Sequence, residues 1–265
     1  MNLNEYEKID REYLIHPMTH LAKFERGEID NRIMKTARGV KIIDAQGNSF
    51  IDAFSGLYCV NVGYGCTDII EAIKKQAEEL AYYHCYYGNA TEASIKLSEM
   101  VIERAPNNMK KIYFGLSGSD ANDTNIKLLW YYNNLIGHTK KKKIISRRGG
   151  YHGAGIFTGS LTGIETYHFN YDLPIKGILH TEPAFYFHRA DLDQTEDEYS
   201  QFCADQLEEL ILKENPDTVA GFIAEPVIGN GGLVPPPHDY WPRIKNVLEK
   251  YDVALISDEV VTGFG

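Results

Sequence analysis

The sequence predicts an α/β protein: a mostly parallel sheet with helices on both faces, preceded by an amino-terminal arm and a β-hairpin. Three observations predict it. From about residue 58, amphipathic stretches alternate with short apolar runs, the rhythm of strands joined by helical crossovers. Two of those runs, 218 to 224 and 253 to 257, are apolar apart from Thr218 and Ser257 and are followed directly by acids. No internal repeat, low-complexity tract or long linker interrupts the pattern.

Taken in order, residues 4 to 22 form a helix or an extended arm. Between residues 33 and 53, Val40 to Ile43 and Ser49 to Asp52 flank the turn residues Gln46, Gly47 and Asn48, which predicts a hairpin. Helices are expected at 68 to 81, 91 to 104, 120 to 136, 197 to 213 and 239 to 250. Strands are expected at 111 to 115, 143 to 147, 219 to 224 and 253 to 257. The stretch from 160 to 196 has weak periodicity and is rich in aromatic residues and histidine, so it reads as loops around a site. This divides the chain into an arm and hairpin segment, 1 to 57, and a large domain, 58 to 265.

Composition narrows the function. A chain of 265 residues, 43% hydrophobic and 24% charged, can build one large domain with a substantial core. Its net charge of -10 and pI near 5.4 disfavour nucleic acid, whose phosphates call for clustered Lys and Arg. The one basic run, Lys140, Lys141, Lys142 and Lys143, precedes the strand-like Ile144 and Ile145 and reads as a solvated turn. Cys59, Cys66, Cys85 and Cys203 show neither a CxxC pair nor a disulfide-like rhythm, so no zinc site or secreted scaffold is expected. No stretch approaches the roughly 18 apolar residues of a membrane span, and the amino terminus is charged. A soluble, cytoplasmic protein with a small-molecule partner and no metal is the expectation.

Four motifs carry chemistry. In the first, the run Lys111 to Leu116 leads into Ser117, Gly118, Ser119 and Asp120 and then a helix. Gly118 lets backbone approach an anion, Ser119 adds a hydroxyl, and the helix start favours negative charge. A plain N-cap uses the same residues. In the second, the strand from Val253 ends in Asp258 and Glu259, and parallel sheets hold ligands at such ends. Asp258 suits the protonated nitrogen of a pyridine, whose proton it would hold in place. Magnesium or plain solvation are the alternatives, but no GxxxxGK[ST] accompanies the acids, and no GxGxxG follows the first strands. In the third, Glu225 ends another strand and Pro226 stops its ladder. In the fourth, Tyr151 and His152 stand between Gly150 and Gly153, where a ring is presented for stacking or for local packing.

Read together, SGSDAND at 117 to 123, GGYHG at 149 to 153, AEPV at 224 to 227 and SDEVVTGFG at 257 to 265 resemble the class III, pyridoxal-phosphate (PLP)-dependent aminotransferases. The order and spacing match across nearly the whole chain. Gly56 to Gly65, Pro236 to Pro242, and His16 with Pro17 resemble the ω-amino acid or amine:pyruvate branch. The resemblance implies the large domain of a fold-type I PLP transferase. Its activity would move an amino group from an amine or ω-amino acid to pyruvate or another oxo acid, with pyridoxamine phosphate (PMP) as the cofactor's alternate form.

Carried onto this sequence, it implies that Gly118 and Ser119 hold the phosphate, Tyr151 stacks on one ring face and Val260 covers the other. Asp258 would pair with the ring nitrogen, and Glu225 would orient its surroundings. Tyr58, Tyr86 and Tyr87, with Leu57 and Met18, would line the substrate pocket; each also reads as ordinary aromatic or apolar core. Asp120 stands where the family usually has glutamate. Tyr58 stands where the branch usually has tryptophan, so substrate preference transfers poorly. The resemblance also implies a homodimer, with residues 58 to 90 at the interface. The family lysine that binds the cofactor lies a few tens of residues past the position of Asp258, and this chain ends at Gly265. Neither Lys127 nor Lys176 follows the strand pattern that would replace it. The expectation is therefore a large domain without its lysine or its carboxy-terminal small domain. A chain that binds PLP non-covalently with little or no turnover is the alternative.

Overall fold

The structure, a computed structural model, describes residues 2 to 264. They form two compact units, one running to Ala105 and the other starting at Pro106.

The first unit opens with α1 (Leu3–Tyr13), started by a capping box in which Asn2 and Glu5 satisfy each other's backbone N–H. α2 (Leu21–Glu25) follows. β1 (Met34–Arg38), β2 (Lys41–Asp44) and β3 (Ser49–Ile51) form an antiparallel sheet in the order β1-β2-β3. The β2–β3 hairpin forms as expected, because the buried Asp44 carboxylate accepts from the N–H groups of Gln46 (3.1 Å) and Asn48 (2.8 Å). β1 extends it to three strands. That strand, Met-Lys-Thr-Ala-Arg, is exposed at all but one position, so it lacks the apolar alternation that marks a strand in sequence. The unit continues through the left-handed turn α3 (Ser55–Tyr58), α4 (Thr67–Leu80) and α5 (Glu92–Ile102).

The second unit contains α6 (Gly118–Leu135), β4 (Lys143–Arg147), α7 (Ile156–Leu161), β5 (Ile178–Thr181), α8 (Glu196–Glu214), β6 (Val219–Ala224), α9 (Tyr240–Lys250) and β7 (Ala254–Ser257). The four strands are parallel in the order β5-β4-β6-β7. Successive strand residues face opposite sides, and the two sides bury different helices. Ile145, Phe222 and Ala224 pack with Leu207 and Ile211 of α8 and with Ile244 and Leu248 of α9. Ile144 and Ile223 pack with Ile126 of α6 and Leu161 of α7. Gly221 lets α6 lie close, since a Cβ there would come within 2.9 Å of Leu129 Cδ2 and 3.3 Å of the Ala254 carbonyl.

The α/β class and all five expected helices are observed, with ends displaced by one or two residues. Three expectations are corrected. Residues 111 to 115 are not a strand: no described segment exchanges ladder hydrogen bonds with them, and Tyr113 and Phe114 remain exposed. An apolar run becomes a strand only where a neighbour takes up its N–H and C=O groups. The stretch from 160 to 196 is not all loop, because β5 runs through it beside β4. The lysine run is not a solvated turn. Lys141 is buried and reaches Asp252 (2.8 Å), Lys142 reaches Asn134 (2.7 Å), and Lys143 reaches Glu214 (2.8 Å). Successive side chains diverge, so these three lysines meet different partners, and only Lys140 lies exposed in the turn.

Candidate active site

The carboxyl ends of β4, β6 and β7 and the start of α6 are brought together. At the helix start, the Ser117 hydroxyl accepts from the Asp120 N–H (3.2 Å), and the Asp120 carboxylate accepts from the Leu116 N–H (2.9 Å). The N-cap reading is therefore correct for Ser117 and Asp120. It does not consume Gly118 and Ser119, whose N–H groups, as in any first turn, have no intrahelical acceptor. A Cβ on Gly118 would come within 2.7 Å of Val260 Cγ2, and one on Gly153 within 2.4 Å of Ser119 Oγ. Both glycines are held to that size by close neighbours, and Gly153 (φ 129°) also needs a backbone that other residues rarely adopt.

Asp258 follows β7 directly, and its own N–H donates to the Ala224 carbonyl (3.0 Å), extending the β6–β7 ladder by one bond. The side chain is buried. Oδ2 accepts from Asn122 Nδ2 (2.8 Å) and pairs with His152 Nδ1 (2.9 Å), whereas Oδ1 has, among the described residues, only the Val260 N–H at 3.3 Å. Burial pushes the carboxyl pKa up. The hydrogen bond from His152, with those from Asn122 and Val260, outweighs it, so the pKa lies below the ordinary aspartate value. The group is a held carboxylate with one oxygen largely free.

Tyr151 is half-buried, its ring edge-on to Tyr167 at 5.4 Å between centroids. Burial, then Tyr167 and then the negative charge of Asp258, raise its phenol pKa. Glu225 is buried and spends both oxygens on backbone: Oε1 accepts from the Tyr151 N–H (2.9 Å) and Oε2 from the Gly229 N–H (2.7 Å). Glu225 is thus a clamp joining the Tyr151 loop to the 226 to 229 turn. Glu225→Gln has one acceptor oxygen for two donors and is expected to cost about 1–3 kcal/mol in urea unfolding. An unchanged midpoint would show that the clamp adds nothing.

Six of the expected site residues, Gly118, Ser119, Tyr151, Glu225, Asp258 and Val260, belong to this one unit and cluster at the strand ends. Tyr58, Tyr86 and Tyr87 belong to the first unit. There Tyr58 lies edge-on to Phe54 at 5.0 Å, and Tyr86 and Tyr87 are 73% and 99% exposed. The sequence reading missed Asn122 and the pairing of His152 with Asp258. Asn122 carries a usable signal, because it stands four residues after Gly118 and so shares its helix face. No local signal links His152 to a residue 106 positions away.

A parallel sheet that gathers a helix N-terminus, an aromatic ring and a buried carboxylate at its strand ends offers places where a small ligand could bind an anionic group and a cationic one. The comparisons with known proteins agree on the family. The chain belongs to the class III aminotransferases, whose family profile matches residues 24–265. It is 54% identical over 258 residues to the diaminobutyrate–2-oxoglutarate transaminase of Halomonas elongata, covering 97% of this chain and 55% of that protein. It is 40% identical over 260 residues to the chloroplastic gamma aminobutyrate transaminase 3 of Solanum lycopersicum, covering 96% and 50%. Among solved structures, a transaminase from directed evolution by ancestral reconstruction superposes with a TM-score of 0.97 at 53% identity, covering 100% of this chain and 58% of the other. The ω-transaminase of Pseudomonas jessenii in complex with PMP gives 0.95 at 38% identity, covering 100% and 57%. The chain therefore spans little more than half the length of these relatives.

Proposed function

We propose that this protein serves PLP-dependent transamination, moving an amino group from an amine or ω-amino acid to pyruvate or another oxo acid. The observation that carries the reading is Asp258. It is a buried carboxylate with Oδ2 doubly held and Oδ1 left for a protonated ring nitrogen, in one cluster with the start of α6 and Tyr151. Two similarities support it: the Pseudomonas jessenii neighbour is a PMP complex, and the Halomonas elongata relative is named for diaminobutyrate and 2-oxoglutarate.

PLP, when bound, supplies the carbonyl that takes the amine nitrogen and a ring that draws electrons from it. The residues of this chain would bind and orient it. Gly118, Ser119 and the helix start would take the phosphate, Tyr151 and Val260 the two ring faces, and Asp258 the ring proton. Glu225 would act through Tyr151. Tyr58, Tyr86 and Tyr87 keep a proposed role in sorting amine substituents by size. The division into an arm with hairpin, 1 to 57, and a cofactor domain, 58 to 265, is part of the same proposal.

Non-covalent PLP binding with little turnover is the alternative proposal. Borohydride reduction of the 265-residue chain loaded with PLP separates the two. No label should survive unfolding if binding is non-covalent, and a phosphopyridoxyl group mapped to one lysine would overturn that reading. Saturable binding of PLP, followed by absorption, is expected in either case.

A homodimer is proposed as well. In the first unit Phe24 is the only buried apolar side chain among the described residues, and Ile69, Ile70, Ile73 and Leu80 of α4 are exposed. Apolar surface of that extent calls for a cover, and a second copy would supply it. Sedimentation at micromolar concentration is expected to show twice the chain mass. Four free cysteines suit a reducing compartment, so the cytoplasm is the proposed location.

A further inference from the structure

Asp258 is held by a closed set of contacts that the resemblance to known enzymes did not assign. Asn122 Nδ2 donates to Asp258 Oδ2 (2.8 Å) and to the His152 carbonyl (3.0 Å), tying the carboxylate to the backbone of the residue whose ring also meets it. The His152 N–H donates to Thr162 Oγ1 (2.9 Å), whose hydroxyl donates to the Gly153 carbonyl (2.8 Å). The backbone carrying the imidazole is therefore fixed on both sides. The ring is fully buried, and its Nε2 has no hydrogen-bond partner among the described residues.

That arrangement settles where the imidazole proton sits. An ionised carboxylate only accepts, so an attractive 2.9 Å contact requires a proton on Nδ1. Placing it on Nε2 alone would set two lone pairs against each other and leave a buried N–H without an acceptor. Oδ2, with two donors in place, has little capacity left for a third.

We infer that His152, together with Asn122, is a positioning residue that fixes Asp258 through Oδ2 from a protonated Nδ1, and so presents Oδ1 as the oxygen that meets a protonated ring nitrogen. The inference rests on the PLP reading above and sharpens it by assigning the two oxygens different tasks. A carboxylate lacking the imidazole could turn about its Cβ–Cγ bond and offer either oxygen, or neither, in line with the ring.

The test uses the 265-residue chain with three substitutions. His152→Leu removes the donor, His152→Asn keeps one near the position of Nδ1, and Asp258→Asn removes the charge. Long-range imidazole 15N–1H spectra of the ligand-free chain are expected to show the Nδ1–H form for His152. PLP affinity is expected to fall about tenfold to a hundredfold in His152→Leu, the worth of one charge-assisted bond. It should return to within a few-fold of the parent in His152→Asn. With PLP labelled at the ring nitrogen, the 15N signal should stay at its protonated position in the parent and in His152→Asn and move away from it in His152→Leu. A purely structural role would not produce that movement. A ring-nitrogen signal unchanged in His152→Leu, with binding still lost in Asp258→Asn, would overturn the inference and leave the PLP reading standing. An Nε2–H form would also overturn it. If the parent chain fails to bind PLP, the PLP reading falls and the inference falls with it.

Discussion

Replacing Asp258 by asparagine is expected to weaken PLP binding by roughly a hundredfold to several thousandfold, the equivalent of about 3–5 kcal/mol for a buried ion pair that loses one partner. The size follows from burial. The carboxylate is almost fully removed from solvent, so water cannot replace it beside a ring proton. The effect should also have a definite pH range. The folded-state pKa of Asp258 lies below the ordinary value, so the group is ionised throughout the neutral range. Its contribution to stability is fully present above the unfolded value of about 3.9 and is lost as pH falls through the lower folded value. The affinity gap between the parent and Asp258→Asn should therefore stay constant from about pH 5 to 8, judged from that unfolded value. Fluorescence titrations across that range check it. A gap that closes near neutrality would mean that Asp258 is protonated there and does not act as a carboxylate.

Gly163→Ala is expected to destabilise the protein by at least about 3 kcal/mol, at the severe end for a single added methyl. A Cβ at this position would sit 2.1 Å from the Arg147 carbonyl oxygen and 2.8 Å from Arg148 Cα, and neither is the end of a flexible side chain. The segment cannot simply move away. The Gly163 N–H donates to the Gly150 carbonyl and its own carbonyl accepts from the Gly149 N–H, both at 2.8 Å, which locks it to the loop carrying Tyr151 and His152. The substitution should consequently loosen the site as well as the fold. Urea unfolding beside Gly155→Ala supplies the contrast. The Gly155 φ of −74° suits alanine, and the nearest atom to its Cβ is the Thr158 hydroxyl at 3.3 Å, so that change should cost under about 1 kcal/mol. Equal midpoints for the two variants would refute the argument.

The sequence by itself determined the features that depend on near neighbours. Apolar period and capping residues placed five helices and three of the parallel strands. The abrupt end of an apolar run marked Glu225 and Asp258 as strand-end acids. The small residues before α6 marked Gly118 and Ser119, and the order of these motifs identified the family. Only the tertiary structure decided what depends on distant partners. Residues 111 to 115 have the composition of a strand but no neighbour to pair with, whereas β5 lacks clear periodicity and is a strand because β4 lies beside it. The same holds within the site. Glu225 reads as a strand-end acid that orients the surroundings of Asp258, and only the structure shows its two oxygens on the N–H groups of Tyr151 and Gly229. The residues that hold Asp258 stand 136 and 106 positions from it in the chain. Local propensity is written in every few residues, but a hydrogen bond between distant side chains exists only once the sheet has brought its strand ends together.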